Sequence, residues 1–346
     1  VVKVISTKKN KKGSNNSGKR RLCAYALSRI NPFLPAAAGL RSPDEFGYPT
    51  ATAVLRASTT LQTSSGGIAA IAFSPASQQF YYVPANTTGG TVTWSGGSGS
   101  SFPQQSSLAN LASVYRVVCG GIRVTCEQAL TAASGHLWIT SMPLDFSISF
   151  PYLNWPTTEA QFTQVPLSEK FSLVELTEQP VIAPFRAFDD GIYRFRDSAT
   201  TNYAASAEFL ESTMGWSSLL LYVTGAAASA TVLSIEVVLH IEYLQQGSSA
   251  YGFIDTVPGL YNESAMAEAS AVSTAAPVGV MESAVNSLAA AENFVSRTVN
   301  LAGRVIGLTN TAATAAGALA SVLGRGRAQY NSAVPAIKYK LRAAKW

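Results

Sequence analysis

The chain has little of what catalysis and metal binding draw on. Its 346 residues include only two histidines and three cysteines. Without a C-x-x-C pair there is no zinc knuckle, and Cys119 and Cys126, seven apart in a strand-like stretch, would lie ~23 Å from each other on opposite faces. No disulfide framework follows, and a reducing, intracellular folding site is expected. The nucleophile elbow G-x-S-x-G, the phosphate loop G-x-x-x-x-G-K-[ST], the H-E-x-x-H pair and the EF-hand loop are all missing. A Ser-His-Asp triad would have to use His136, expected in a turn, or His240, on the polar face of a strand, and a structural role suits both better. The sequence therefore points away from an enzyme. The chain starts on Val rather than Met, so a processed or missing N-terminus is expected. No apolar core before a small-residue cleavage site marks a signal peptide.

Acidic residues are also missing from both ends. Residues 1–43 carry ten Lys or Arg and no Asp or Glu, and residues 293–346 carry eight and none, whereas residues 44–292 hold all twenty acidic residues and seven basic ones. The net charge of +5 thus conceals a body at −13 between ends that sum to +18. Such separation marks a molecule that seeks a polyanion with its ends.

The stretch "KKNKKGSNNSGKRR", residues 8–21, holds seven of these cations and nothing apolar. It cannot bury enough surface to offset its ordering entropy and is expected to be disordered until a partner orders it. The candidate nucleic-acid-binding residues are Lys3, Lys8, Lys9, Lys11, Lys12, Lys19, Arg20 and Arg21 in this arm. At the other end they are Arg325, Arg327, Lys338, Lys340, Arg342 and Lys345. Each cation that neutralises a phosphate releases a counterion, so eight arm contacts on a single strand give a log–log salt slope of roughly −5 to −6. A nuclear-localisation cluster or a solubilising tail would have the same composition.

After residues 30–50, a proline-rich linker, the pattern turns to strands. "ATAVLRASTTLQT", "GGIAAIAF", "QQFYYV", "TVTW", "GGIRVTCEQ", "GHLWITSMPLDFSISF", "FSLVEL", "QPVIAPFRAF", "GIYRFRD" and "GWSSLLLYVTG" are all strand candidates. The clearest places Leu233, Ile235, Val237, Leu239, Ile241 and Tyr243 on one face and Ser234, Glu236, Val238, His240 and Glu242 on the other. Residues 217–235, with Gly225 at the centre, predict a hairpin. Leu108, Leu111, Ala112 and Tyr115 predict a short helix opened by Ser106 or Ser107. A Gly/Ser-rich loop within residues 85–105 is expected to protrude from the surface. Many strands, few helices and no βαβ alternation predict a mainly β fold, a sandwich or jelly roll.

From Asn262 the period lengthens. Met281, Val285, Leu288, Ala291, Val295, Val299, Ala302 and Ile306 form a helical stripe that packs on the β body or on a partner. Residues 305–324, uncharged but diluted by Ala, Thr and Gly, suit an internal scaffold better than transient membrane contact. Asp189 and Asp190, sharing a loop with Gly191 and followed by Asp197, Glu208 and Glu211, are the candidate ligands for Ca²⁺ at a subunit contact, although the spacing fits no metal motif.

The basic arm, the passage "LASVYRVVCGGIRVTCEQALTAASGHLWI" and the closing strand "VLSIEVVLHIEYL" resemble the coat proteins of small non-enveloped icosahedral viruses, of the nodavirus and tombusvirus-like shell type. Coat proteins of bacilladnaviruses, with single-stranded DNA genomes, are similar to these. The likeness spans about residues 1–245 and lies in layout rather than in a diagnostic motif. It implies an eight-stranded antiparallel jelly-roll sandwich with a basic N-terminal arm (1–29), the linker (30–50), a shell domain (51–245) and a helical, basic C-terminal tail (246–346). It further implies many copies of the chain in a T=3-like virion, packed around single-stranded RNA or DNA and assembled in the host cytoplasm or nucleus. Nodavirus self-cleavage, commonly between Asn and Ala, is not expected, because no Asn-Ala pair occurs; Asn286-Ser287 and Asn331-Ser332 are weak substitutes. The rival readings are a monomeric or low-oligomer nucleic-acid-binding β protein and a jelly-roll lectin or hydrolase.

Overall fold

A computed structural model describes residues 23–44, 46, 49–75, 82–88, 90–94, 100, 102–143, 155–188, 190–197, 215–245, 257–258, 260–275 and 277–284. Its helices are α1 (Ala24–Ser28), α2 (Gln105–Leu111), α3 (Glu159–Gln164), α4 (Leu173–Glu178) and α5 (Glu263–Ala275). The strands are β1 (Pro49–Gln62), β2 (Ala69–Phe73), β3 (Tyr82–Thr88), β4 (Thr91–Trp94), β5 (Ala112–Cys126), β6 (His136–Pro143), β7 (Ser168–Ser172), β8 (Val181–Pro184), β9 (Arg196–Asp197), β10 (Ser217–Thr224), β11 (Thr231–Gln245), β12 (Val257–Pro258) and β13 (Val280–Met281).

These strands build two antiparallel sheets. The first runs β12-β1-β11-β5-β8-β13, with β9 paired to β5, and the second runs β4-β3-β2-β10-β6-β7. The chain changes sheet between β1 and β2, β4 and β5, β5 and β6, β7 and β8, β9 and β10, and β10 and β11, which is a jelly-roll-like winding. Alternation on β11 carries the core: Leu233, Ile235, Val237, Leu239, Ile241 and Tyr243 face Ile71, Phe73, Leu137, Ile139, Leu219 and Leu221 of the other sheet, all buried. Each such side chain contributes about 1.5–3 kcal/mol of burial.

Several expectations need correction. The helix read through Tyr115 stops at Leu111, because the β-branched run that follows pairs with β11, Tyr115 lying opposite Tyr243. Gln104, with no side-chain capping bond, precedes that helix in place of Ser106 or Ser107. "FSLVEL" divides at Ser172: Phe171 is in a strand, while Leu173 and Leu176, three apart, bury one face of α4. "GIYRFRD" splits into a 3-10 turn over Asp190–Tyr193 and the short β9. The predicted hairpin at residues 217–235 does not form. Gly225 turns the chain at φ +70°, but β10 and β11 lie in different sheets.

Within residues 85–105, β3 and β4 extend the second sheet and Phe102 is buried; residues 89, 95–99 and 101 lie outside the described residues. Beyond residue 245, β12 and β13 return to the first sheet on either edge of it. Met281, expected to begin a helical stripe, instead pairs with Val181. The rest of that stripe and residues 305–324 lie outside the described residues. Among the described residues, no helix is long and apolar enough to cross a membrane.

Candidate nucleic-acid interface

All fourteen candidate cations, from Lys3 to Arg21 and from Arg325 to Lys345, lie outside the described residues. What the structure places is where the segments bearing them are rooted. Alternation on β5 and β11 turns Arg116, Val118, Arg123, Glu236, Val238, His240 and Glu242 away from the core, and the terminal segments cover that outer face. Tyr25 and Ala26 of α1, Val118 of β5, and Ala269 and Val272 of α5 form a separate apolar cluster there. Cys23, at the start of α1, donates its backbone N–H to Glu268 Oε2 of α5 at 3.1 Å.

Arg123 makes a second junction of the two ends. Its guanidinium lies 4.5 Å from the Phe33 ring centroid and 2.7 Å from Glu282 Oε1, so one side chain holds the incoming and the outgoing chain. Its other partner is Glu236, at 3.2 Å. Glu282 also donates its backbone N–H to the Pro180 carbonyl at 2.8 Å. The described residues nearest the two cationic ends therefore share one layer over the outer face of the first sheet.

The proline-rich stretch is fastened beneath this layer more tightly than a linker that merely crosses a surface. Glu242 accepts the Ser42 N–H at 3.1 Å and the Thr50 hydroxyl at 2.5 Å. It also accepts Nε and Nη2 of Arg116 at 3.0 and 2.8 Å. Asp44 chelates the same guanidinium through both oxygens, and the Tyr193 carbonyl accepts from Nη1 at 2.9 Å. Burial opposes the Arg116 charge, but hydrogen bonding and attraction from Asp44 and Glu242 outweigh it and hold the pKa above its ordinary value. Phe46 and Phe195 rings lie against this guanidinium at 5.5 and 4.4 Å.

His240 is buried and its Nε2 lies 2.7 Å from the Pro32 carbonyl. A carbonyl only accepts, so Nε2 carries the proton and Nδ1 is left without a partner. Burial lowers the His240 pKa, the Pro32 contact opposes that, and nearby Arg56 lowers it further. This histidine anchors the strap. His136 is exposed at the first residue of β6, and burial and Lys170 lower its pKa. Cys119 is a buried thiol pushed up to about 11 by burial.

Of the Ca²⁺ candidates, Asp190 is exposed in its 3-10 turn and Asp189 lies outside the described residues; among those described, no three His, Cys, Asp or Glu side chains cluster as a metal site. The sequence reading missed Arg116, Arg123, Glu242 and Glu268, the residues that fasten the termini. The available signal was charge at outward positions of two strands whose outward neighbours, Val118 and Val238, are apolar.

No protein-family model and no curated protein matches the sequence. Solved structures do. T=1 particles derived from infectious bursal virus align at a TM-score of 0.51 and 9% identity over 72% of this chain and 89% of that one. The infectious bursal disease virus particle aligns at 0.54 and 9%, over 79% and 96%. The Gx strain of that virus aligns at 0.51 and 8%, over 79% and 99%. The chain shares their fold. At this identity the likeness is one of architecture, and it spans nearly the whole length of each of those chains.

Proposed function

We propose that this chain is the coat protein of a small icosahedral virus, an eight-stranded jelly-roll shell subunit with added edge strands. It self-assembles in many copies and packages a single-stranded genome, RNA or DNA, through its basic ends. The observation that carries the proposal is the rooting of both cationic ends in one layer on one face of an acidic sandwich. If that layer faces inward, curvature brings the tails of neighbouring copies together, and only a polyanion offsets the repulsion of +18 per copy. Shared fold with viral particle proteins supports the same reading. A T=3-like arrangement is the geometry that the resemblance to nodavirus and tombusvirus-like coat proteins implies.

The test is to express the full chain, image the product and sequence the nucleic acid that copurifies. Closed particles with enclosed nucleic acid are expected, and deletion of residues 1–21 should lower the ratio of absorbance at 260 to 280 nm. A chain that stays monomeric at every ionic strength overturns the proposal. So does an arm that trypsin removes from intact particles without delay.

A further inference from the structure

Two arginines are buried where the N-terminal strap meets the body, and they are compensated very differently. Arg116 is chelated by both oxygens of Asp44, by Glu242 and by the Tyr193 carbonyl. Arg29, at the carboxyl end of α1, is 4% exposed and has no carboxylate partner among the described residues. Its Nη2 donates to the Tyr25 hydroxyl, while Nε and Nη1 are buried without an acceptor. The guanidinium lies instead against two rings, 4.8 Å from the Tyr25 centroid and 4.5 Å from that of Trp216. Ring faces attract a cation, but a guanidinium kept out of water with two nitrogens unpaired is costly to bury.

The chain around Arg29 divides into a clamped part, a pivot and a lid. Ser42, Asp44 and Thr50 are clamped by Glu242 and Arg116. Before them Pro35, Ala36, Ala38 and Gly39 are exposed, and Gly39 turns the chain at φ +78° with nothing within 4 Å of where a Cβ would stand. On the far side of this pivot, four contacts hold residues 23–34 shut. Tyr25 and Ala26 pack with Ala269 and Val272, and the Cys23 N–H donates to Glu268. The Pro32 carbonyl accepts from His240, and the Phe33 ring lies against Arg123.

We infer, on the reading that the basic arm binds nucleic acid, that residues 23–34 are a lid opened by polyanions and that Arg29 is a stored phosphate-binding cation. Arg29 is the one Lys or Arg between Arg21 and Arg41, so it is the next cation the arm can offer once its own are engaged. Phosphate oxygens supply the acceptors that Nε and Nη1 lack, in the bidentate geometry a guanidinium favours. A ligand that finds this extra cation only in the open form binds that form more tightly and so raises its population. Opening at the pivot leaves both sheets intact and lengthens the arm by up to about 40 Å of extended chain.

Amide hydrogen exchange, read by mass spectrometry on the full-length chain with and without a short oligothymidylate, tests this; anisotropy of the labelled oligonucleotide reports binding in the same samples. Peptides covering residues 24–34, where the Leu27, Ile30 and Asn31 amides bond within the lid, should lose protection severalfold on binding, while β10 and β11 keep theirs. Bound oligonucleotide with lid protection unchanged or raised overturns the lid, leaves the shell reading standing, and needs no variant to fold. In Arg29→Met the log–log salt slope of binding should be shallower than in the wild type by about 0.7, one phosphate contact on a single strand. Equal slopes overturn the stored cation. Without oligonucleotide the same variant, which buries no charge, should protect the lid amides about tenfold better than the wild type. Equal or lower protection overturns the account of why the lid opens. Oligonucleotide that fails to bind at any ionic strength overturns the genome-packaging reading and the lid's trigger together, and anisotropy tells that failure from a lid that stays shut.

Discussion

Replacing Arg116 by Met tests the physical account of how the N-terminal strap is fastened. Arg116 and Glu242 are each 1% exposed at the side chain, so the pair has no water to fall back on. Methionine leaves the Glu242 carboxylate with the Ser42 N–H and Thr50 hydroxyl but no cation. Removing one partner of a buried pair costs about 3–5 kcal/mol, because the remaining charge stays desolvated. Asp44, 15% exposed at its side chain, turns to water and adds little. Adding Glu242→Gln to Arg116→Met removes the stranded charge and should recover about 1–3 kcal/mol. The double variant is then more stable than the single, a coupling that independent sites do not show. Urea denaturation of dissociated subunits at pH 7, followed by tryptophan fluorescence, measures all four corners of the cycle. A cost below about 1 kcal/mol for Arg116→Met, or a double variant whose loss equals the sum of the singles, refutes the reasoning.

Two further perturbations follow from the same face. His240 has a pKa held below the ordinary 6.5, so its contribution to stability is present above pH 6.5 and is lost as pH falls through that value toward the lower folded one. Between pH 7 and pH 5, Tm should drop further in the wild type than in His240→Gln, whose amide can still donate to the Pro32 carbonyl; equal drops refute the assignment. Gly121→Ala places a Cβ 2.5 Å from the Ala183 carbonyl oxygen and 2.8 Å from Pro184 Cα, both backbone atoms that cannot move without breaking the β5–β8 ladder. Soluble yield and Tm should both fall, by more than for Ala at exposed Gly66, where only the Ser64 hydroxyl lies near.

The long strands were legible because their signal is local. Alternation over β11 names both its faces from sequence, and the structure buries the inward set as read. Where local patterns compete, tertiary pairing decided. Tyr115 fits the helical spacing of Leu108 and Leu111, yet its β-branched neighbours and the partner strand β11 draw it into β5. Gly225 marks a true turn, but a turn residue alone does not say whether the next strand stays in the sheet or crosses to the other one. The two-residue strands β12 and β13 carry no periodicity at all. They exist because the first sheet offers them open edges. The candidate interface was half legible: charge segregation is a property of composition, whereas the shared face depends on contacts such as Cys23 with Glu268 and Phe33 with Glu282 through Arg123, separated by hundreds of residues.

Those contacts also bear on what the tail cations are for. Acidic side chains on the body would be their simplest partners, and a tail folded back onto its own body would be self-neutralised rather than free for phosphate. Among the described residues, the carboxylates that hold the two roots are already engaged. Glu242 and Asp44 are satisfied by Arg116, Glu236 and Glu282 by Arg123, and Glu268 and Glu169 by backbone N–H groups. A tail lysine that displaced Arg116 would have to strip a buried guanidinium of at least four charge-assisted bonds, each worth about 1.5–3 kcal/mol, in exchange for one exposed pair worth about 0–1. The described carboxylates at the roots thus fasten the chain without consuming the charge of its ends. Nucleic-acid binding by the full chain should therefore depend steeply on salt, with a log–log slope of roughly −5 to −6 from the arm alone. A slope near zero would show that the arm is paired with its own body after all.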